Sequence, residues 1–466
     1  MQNFGCRATQ ADGADLARQF ASRGLEAAPN AACADVVVLN TCTVTEAADK
    51  DARAAIRRVH RENPAARIVV TGCYAQRAPE ELAGLPGVTT VVGNSHKHRL
   101  AELVAPGFVP LTALMVQRQM GQRPMGERQA GERQAETGAV PSLPNIFVSD
   151  IFAHTELLAA PVFDAAVYRG VAHAERTRPN LKIQDGCDNR CSFCVIPSVR
   201  GQSRSLRPEH VLAEVDALVA AGYREVVLSG INLGRWGRDL DDAKSFENLI
   251  RAVLAQTAVE KLRLSSIEPM DWSGELIALV AGSPRIAKHV HAPLQSGSDR
   301  VLRAMHRKYR PWHYAERIRK ARAAMPDAAI GADVMVGFPG ETEETFEESR
   351  AFIASLPFTY LHVFTYSARP GTPAAELPGQ VPEPVKHERN RVLRDLAAEK
   401  NRSFRASFVG RELDAITLVR GGDGWTEVLT DNYLKLRLAG THPPNRWMRV
   451  RVDALAADGL AGIPAA

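Results

Sequence analysis

The chain of 466 residues has no apolar run approaching the length of a membrane span, and its opening MQNFG offers neither a basic start nor the hydrophobic stretch of a secretion signal. Both absences point to a cytoplasmic protein with no membrane partner. Cysteine is scarce: there are seven, an odd number dispersed over a long chain, which speaks against a disulfide framework and fits a reducing compartment where thiolates serve metals. A strong charge of one sign is also lacking. With 58 basic against 53 acidic residues, the net +5 permits a nucleic-acid partner without demanding one. What is plentiful is apolar content, 45% of the residues, which exceeds one ordinary core and predicts two or three domains.

Three of the seven cysteines stand close together. Cys187, Cys191 and Cys194, in KIQDGCDNRCSFCVIPSVRG, are spaced C-x3-C-x2-C. A closed ferredoxin-type [4Fe–4S] site takes four thiolates, one per iron, so three ligands imply a cluster with one iron open to another molecule. Zinc is the competing reading, but structural zinc wants four ligands, and His210, the nearest downstream candidate, lies sixteen residues past Cys194. Three buried cysteines packed as small hydrophobes is a further alternative. Asp185, Gly186, Asp188, Asn189 and Arg190 oppose it, being loop-forming and polar.

Hydrophobic patterning divides the chain into an α/β multidomain protein. Residues 1–105 read as a small doubly wound α/β domain, with strands at Ala34–Asn40, Arg67–Thr71 and Thr89–Val92 and helices near Glu46–Glu62 and Pro79–Leu85. Residues 106–172 read as a linker whose segment Gln117–Thr137 repeats GERQA, is nearly devoid of apolar residues and cannot fold alone. Residues 173–403 supply six apolar strands separated by helical segments, which predicts a partial (βα)6 barrel of TIM type with its active site at the strand C-termini. Cys187 to Cys194 follows the first of these strands. Residues 404–456 read as short antiparallel strands at Leu413–Val419, Trp425–Leu429, Tyr433–Leu438 and Trp447–Val452, a small OB-like β-barrel. Its Arg411, Lys435, Arg437, Arg446 and Arg449, with Trp425 and Tyr433 as stacking faces, are the candidate RNA-binding residues. A core aromatic beside a solvated basic face is the alternative for each.

Cys6, Cys42 and Cys73 are far apart in sequence yet hold equivalent places just past the strands of the N-terminal domain. Loops at the C-terminal ends of neighbouring parallel strands converge, so three thiolates can meet there and hold a second cube. Dispersed cysteines are also often buried and inert. Cys33 fits no such place, and His96 and His98 in NSHKHR read as a surface turn.

The triplet and the segments after it resemble the radical S-adenosylmethionine (SAM) enzymes. Flanking sequences narrow the resemblance. FGCRATQADGADL, NTCTVTEAADKDAR and VVTGCYAQ are similar to the three cysteine signatures of the methylthiotransferases. RLSSIEP, HAPLQSGSDRVLRAMHRKY, GADVMVGFPGE and YLHVFTYSARPGTPA resemble the branch that acts on N6-threonylcarbamoyladenosine in tRNA. Residues 405–455 resemble the RNA-binding TRAM domain. The likeness implies two [4Fe–4S] clusters, one on Cys187, Cys191 and Cys194 that cleaves SAM to a radical, and an auxiliary one on Cys6, Cys42 and Cys73 that supplies sulfur to C2 of the adenine. A second SAM would give the methyl group. It further implies a flavodoxin- or ferredoxin-type electron donor and a sulfur source as partners. SAM contacts are expected from Phe193, Gly230, Asn232, Glu268, Asp333 and Gly337, although a tight turn explains Gly337, Gly340 and Glu341 equally well. Isopentenyladenosine in tRNA and a ribosomal-protein aspartate are the alternative targets, and a non-enzymatic RNA-binding iron–sulfur protein is the alternative class. Two departures stand out: only five residues precede Cys6, and the Gln/Arg-rich insert is unusual.

Overall fold

The computed structural model describes residues 1–5, 7–104, 144–153, 177–242, 244–422, 424–456 and 459–465. Cys6 and the insert Gln117–Thr137 lie outside them. The chain divides into two compact units, one of residues 1–43 and 47–153, the other of residues 44–46 and 154–466.

The first unit is built on five parallel strands in sequence order, β1 (Gln2–Asn3), β2 (Val36–Thr41), β3 (Arg67–Gly72), β4 (Val88–Gly93) and β5 (Asn145–Phe147). The β-branched runs of β2 and β3 are buried almost throughout, as strands covered on both faces must be. Helix Glu46–Glu62 turns Ala52, Ala55, Ile56 and Val59 onto the sheet. One expectation changes. The domain does not end at residue 105, because β5 pairs with β4 through Thr90 and Asn145. The first strand is two residues long, with Gln2 beside Leu39 and Asn3 beside Asn40.

In the second unit the six expected parallel strands are β6 (Asn180–Asp185), β8 (Glu225–Gly230), β9 (Lys261–Leu264), β10 (His289–His291), β11 (Ala329–Val336) and β12 (Tyr360–Thr365), with the two-residue β7 (Arg204–Ser205) running antiparallel to β6. They form two arcs, β7-β6-β8-β9 and β10-β11-β12, joined by one bridge, Leu262 to Ile286, rather than a continuous ladder. The helices pack around them over one large apolar core. After the long helix Glu383–Ala406, strands β13 (Glu412–Gly422), β14 (Trp425–Thr430), β15 (Lys435–Ala439), β16 (Trp447–Ala456) and β17 (Gly459–Pro464) close into a barrel in the order β13-β14-β15-β17-β16. The expected barrel had four strands ending by residue 456. The fifth, β17, is short of bulky residues, and it closes the barrel by pairing parallel to β15.

The turn between β14 and β15 docks onto the N-terminal ends of the parallel strands. Arg263, fully buried in β9, bonds Glu225 Oε1 at 2.6 Å and donates to the carbonyls of Asp431 and Thr430 at 3.0 and 3.2 Å. Asn432 Nδ2 bonds the Asp327 carbonyl at 2.9 Å, and the Tyr433 ring stacks on His289 with centroids 4.6 Å apart. The small barrel therefore covers the end of the strands opposite the cysteine loop. Burial pushes the Glu225 carboxyl up, but the guanidiniums of Arg263 and Arg178 outweigh it and hold the group below the usual carboxylate range. This stabilisation is present above the unfolded pKa, about 4.3, and is lost as pH falls through the depressed folded value. Arg263→Met, which strips the buried carboxylate of its closest partner, is expected to destabilise the second unit by about 3–5 kcal/mol. Scanning calorimetry from pH 7 to pH 3 should show the deficit of the variant shrinking as Glu225 protonates.

Candidate active site

Cys187, Cys191 and Cys194 are held on a loop at the C-terminal end of β6. Gly186 has φ +71°, and a Cβ on it would meet the Gln202 carbonyl oxygen at 1.8 Å, so the residue before Cys187 must be glycine for the chain to turn there. Cys187 N–H then bonds the Gly201 carbonyl at 3.0 Å, Cys194 N–H bonds the Cys191 carbonyl at 3.1 Å, and Ser192 N–H bonds Met305 at 3.1 Å. All three cysteines are half-buried.

Each sulfur receives N–H donors. The backbone N–H of Asn189 and, at 3.7 Å, Asn232 Nδ2 point at Cys187; Arg307 Nη1 lies 3.2 Å from Cys191; and the backbone N–H of Ile196 points at Cys194. Burial, with the neighbouring Cys191 and Cys187 adding to it, nevertheless pushes the Cys194 thiol up to about 12, and burial raises Cys187 as well. Thiolates at this loop thus need a cation as well as N–H groups. Three soft donors with N–H bonds to every sulfur fit a [4Fe–4S] cube. They do not fit a single zinc ion, whose Zn–S bonds of about 2.3 Å draw sulfurs to about 4 Å apart. Among the described residues, the one set of three ligand atoms within 4.8 Å of one another is His291, Asp333 and His362, not these cysteines.

Sequence reasoning missed Arg307. One of three successive basic residues, His306-Arg307-Lys308, it alone is buried, its side chain 5% exposed. It ion-pairs with Glu268, lies over the Tyr309 ring at 4.9 Å, and helps line a small hollow with Cys191, Asn189, Glu268, Met270 and Tyr309. Glu268 therefore opens beside the cysteine loop. Asn232 does too: its N–H bonds Gln184 Oε1 at 2.7 Å, its Nδ2 reaches Cys187, and its Oδ1 is buried without a hydrogen bond. Gly230 admits Gln184, since a Cβ there would stand 2.9 Å from Gln184 Oε1.

The other expected SAM contacts do not line this hollow, although Phe193 belongs to the cysteine loop itself. Phe193 packs edge-to-face on Phe338 at 6.5 Å against the main core. The Gly337 N–H bonds Glu341 Oε1 at 2.8 Å, and Glu341 pairs with Arg389 of helix Glu383–Ala406 at 2.8 Å, so this turn ties β11 to the last helix. Asp333 faces His291 at 3.3 Å.

In the first unit, Cys42 and Cys73 directly follow Thr41 and Gly72, which are partners in the β2–β3 register, so the two buried cysteines leave adjacent strands side by side. A Cβ on Gly5 would stand 2.9 Å from Cys42 Sγ, which brings the residue before Cys6 to Cys42. Cys73 Sγ accepts from Asn94 Nδ2 at 3.5 Å. Behind it, Lys97 Nζ bonds Asp12 at 2.8 Å, Asn40 at 2.9 Å and Asn94 at 3.4 Å. The expected surface turn NSHKHR is instead a 3-10 helix that buries Asn94, Ser95 and Lys97.

The candidate RNA residues are divided. Tyr433 is turned inward: it has φ +67° in the docking turn, and its ring is stacked on His289 rather than exposed for a base. Arg411 pairs with Asp327, Lys435 with Glu427 at 2.9 Å, and Arg449 with Asp414 at 3.1 Å. Arg437 lies over Trp425 at 4.7 Å, a cation and an aromatic ring together on the barrel, and Arg446 is exposed.

A three-thiol loop capped by N–H donors at the C-terminal mouth of six parallel βα units defines a radical SAM enzyme, and the Radical SAM superfamily model matches residues 181–353. Residues 1–93 match the model described as uncharacterized protein family UPF0004. Among curated proteins, the chain is 37% identical to "Threonylcarbamoyladenosine tRNA methylthiotransferase MtaB" of Bacillus subtilis over 94% of this chain and 89% of that one. It is 35% identical to the MtaB of Aquifex aeolicus, over 97% of this chain and 99% of that one. It is also 35% identical to "tRNA-2-methylthio-N(6)-dimethylallyladenosine synthase" of Thermobifida fusca, over 97% and 83%. The chain belongs to the radical SAM methylthiotransferases, enzymes that work with SAM and [4Fe–4S] clusters. Among the described residues, no helix is long and apolar enough to cross a membrane.

Proposed function

We propose that this chain methylthiolates C2 of N6-threonylcarbamoyladenosine at position 37 of tRNA, forming the 2-methylthio nucleoside, with one cube on Cys187, Cys191 and Cys194 and a second on Cys6, Cys42 and Cys73. The observation that carries the reading is that each thiol of the first loop meets an N–H donor while Arg307 and Glu268 line an adjoining hollow. When bound, the clusters and SAM supply the radical, the sulfur and the methyl group that an unactivated aromatic C–H requires.

The residues of the chain do the rest. Gly186 and the Gly201 and Met305 carbonyls set the loop that carries the three sulfurs. Asn232 and Arg307 hold negative charge on Cys187 and Cys191 through N–H bonds. The Arg307–Glu268 pair presents both charges at the hollow, which suits the amino and carboxylate groups of an amino-acid cofactor. In the first unit, Asn94 does for Cys73 what Asn232 does for Cys187, and buried Lys97 sets a positive charge behind it. The Arg437–Trp425 pair offers tRNA a stacking surface. A flavodoxin- or ferredoxin-type protein supplies electrons, and a separate donor restores the sulfur.

The substrate is tested by nucleoside mass spectrometry of tRNA from cells with and without the gene. Loss of 2-methylthio-threonylcarbamoyladenosine alone is the expected result. Loss of the 2-methylthio-isopentenyl nucleoside instead would move the enzyme to the activity named for the Thermobifida relative.

A further inference from the structure

The inner wall of a βα barrel is normally filled by branched aliphatic side chains. Here the last three strands line it with imidazoles, a carboxylate and a phenol. His289 and His291 alternate with Val290, which is buried in the apolar core, and in the β11–β12 register Gly331 stands beside Tyr360 and Asp333 beside His362. The layers are stacked. Tyr433 of the docking turn lies on His289, His289 stacks with Tyr360 at 5.9 Å, and His291 lies 5.9 Å from Tyr360 and 5.6 Å from His362.

In the upper layer, His291, Asp333 and His362 each bring one ligand atom within 4.8 Å of the others. His291 Nε2 is 3.3 Å from Asp333 Oδ1, yet it is buried and makes no hydrogen bond. Its Nδ1 lies 2.6 Å from Ser266 Oγ. When Nδ1–H donates to Ser266, Nε2 turns a lone pair toward a carboxylate oxygen, and a cation between them relieves that repulsion. A proton would do so through a well-aligned N–H···O bond, which this geometry does not make. A metal ion takes both atoms off the direct line and accepts the third ligand from His362.

We propose that His291, Asp333 and His362 form a binding site for one divalent transition-metal ion of the zinc or iron(II) class, separate from the iron of the clusters. Two imidazoles and one carboxylate form the donor set suited to such ions. Ser266 holds the His291 ring by its hydrogen bond at Nδ1, as partners of ligating histidines do. The Asp333 side chain is 27% exposed and His362 is exposed, so coordination positions remain for water or a substrate oxygen.

The test uses the full chain after anaerobic cluster reconstitution, dialysed against cobalt(II) and assayed for cobalt and iron. One cobalt per chain with the ligand-field absorption of a protein-bound ion is expected. His291→Ala and Asp333→Ala should weaken its binding more than about 100-fold, and Ser266→Ala about 10–100-fold, with iron unchanged. Because His362 is exposed, His362→Gln tests the site without disturbing the core, and it should weaken cobalt as well. Absence of stoichiometric cobalt in the wild type, or cobalt bound with undiminished affinity in His362→Gln, overturns the proposal.

Discussion

Replacing Cys187, Cys191 and Cys194 together by Ala is expected to lower the iron of anaerobically reconstituted protein from about eight to about four atoms per chain and to abolish SAM cleavage. The effect is large because the three thiols act as one unit. They leave a single loop after β6, fixed by Gly186 and by the hydrogen bonds of Cys187 to Gly201 and Ser192 to Met305. No other cysteine is near enough in sequence to substitute, since Cys73 is the next one upstream. The four irons that remain report the Cys6, Cys42 and Cys73 site. Iron analysis with Mössbauer spectra checks the count, and eight irons retained in the triple variant would remove the basis of the assignment.

Arg307→Met is expected to lower the reduction potential of the same cluster by roughly 65–130 mV, the one-electron equivalent of about 1.5–3 kcal/mol for a hydrogen bond to a charged group. Reduction adds negative charge, and the buried guanidinium beside Cys191 favours the more negative state. Met also leaves the Glu268 carboxylate without its closest partner, which disfavours reduction further. Arg307→Lys keeps the charge but not the fork that reaches Cys191 and Glu268 at once, so it should recover part of the shift. A redox titration followed by electron paramagnetic resonance measures this without reference to turnover. An unchanged potential in Arg307→Met would leave Arg307 a packing residue only.

The sequence was most legible where chemistry and periodicity coincide. Cys187, Cys191 and Cys194 announce themselves by spacing, and strands such as β8 and β11 by apolar, β-branched runs that are buried almost throughout. Legibility failed where a residue's role depends on what comes from elsewhere in the chain. Arg307 looks like its neighbours in a basic run, and only the fold shows which of the three turns inward to Cys191. Lys97 was hidden in the same way, among four basic residues of a short 3-10 helix. Tyr433 shows the converse. An aromatic in a basic β-barrel suggests base stacking, but His289 lies far away in sequence and takes the ring face. Strand β17, Gly459–Pro464, is too poor in bulky residues to announce a strand, and its place comes from closing the barrel between β15 and β16.

The C-terminal barrel is fixed by Arg263, Asn432 and Tyr433 at the strand N-termini, while the cysteine loop lies at the opposite mouth. The docking turn is therefore taken up by the parallel strands, and Arg437 lies over Trp425 outside that turn.

The division of labour between the two cysteine sets is the core of the account, and one measurement addresses it directly. The Cys42→Ala/Cys73→Ala protein is reconstituted, supplied with SAM, reductant and tRNA bearing N6-threonylcarbamoyladenosine, and the products are resolved by mass spectrometry. 5′-Deoxyadenosine is expected still to form while the 2-methylthio nucleoside does not. A 2-methylthio nucleoside made by this variant at the wild-type rate would contradict it.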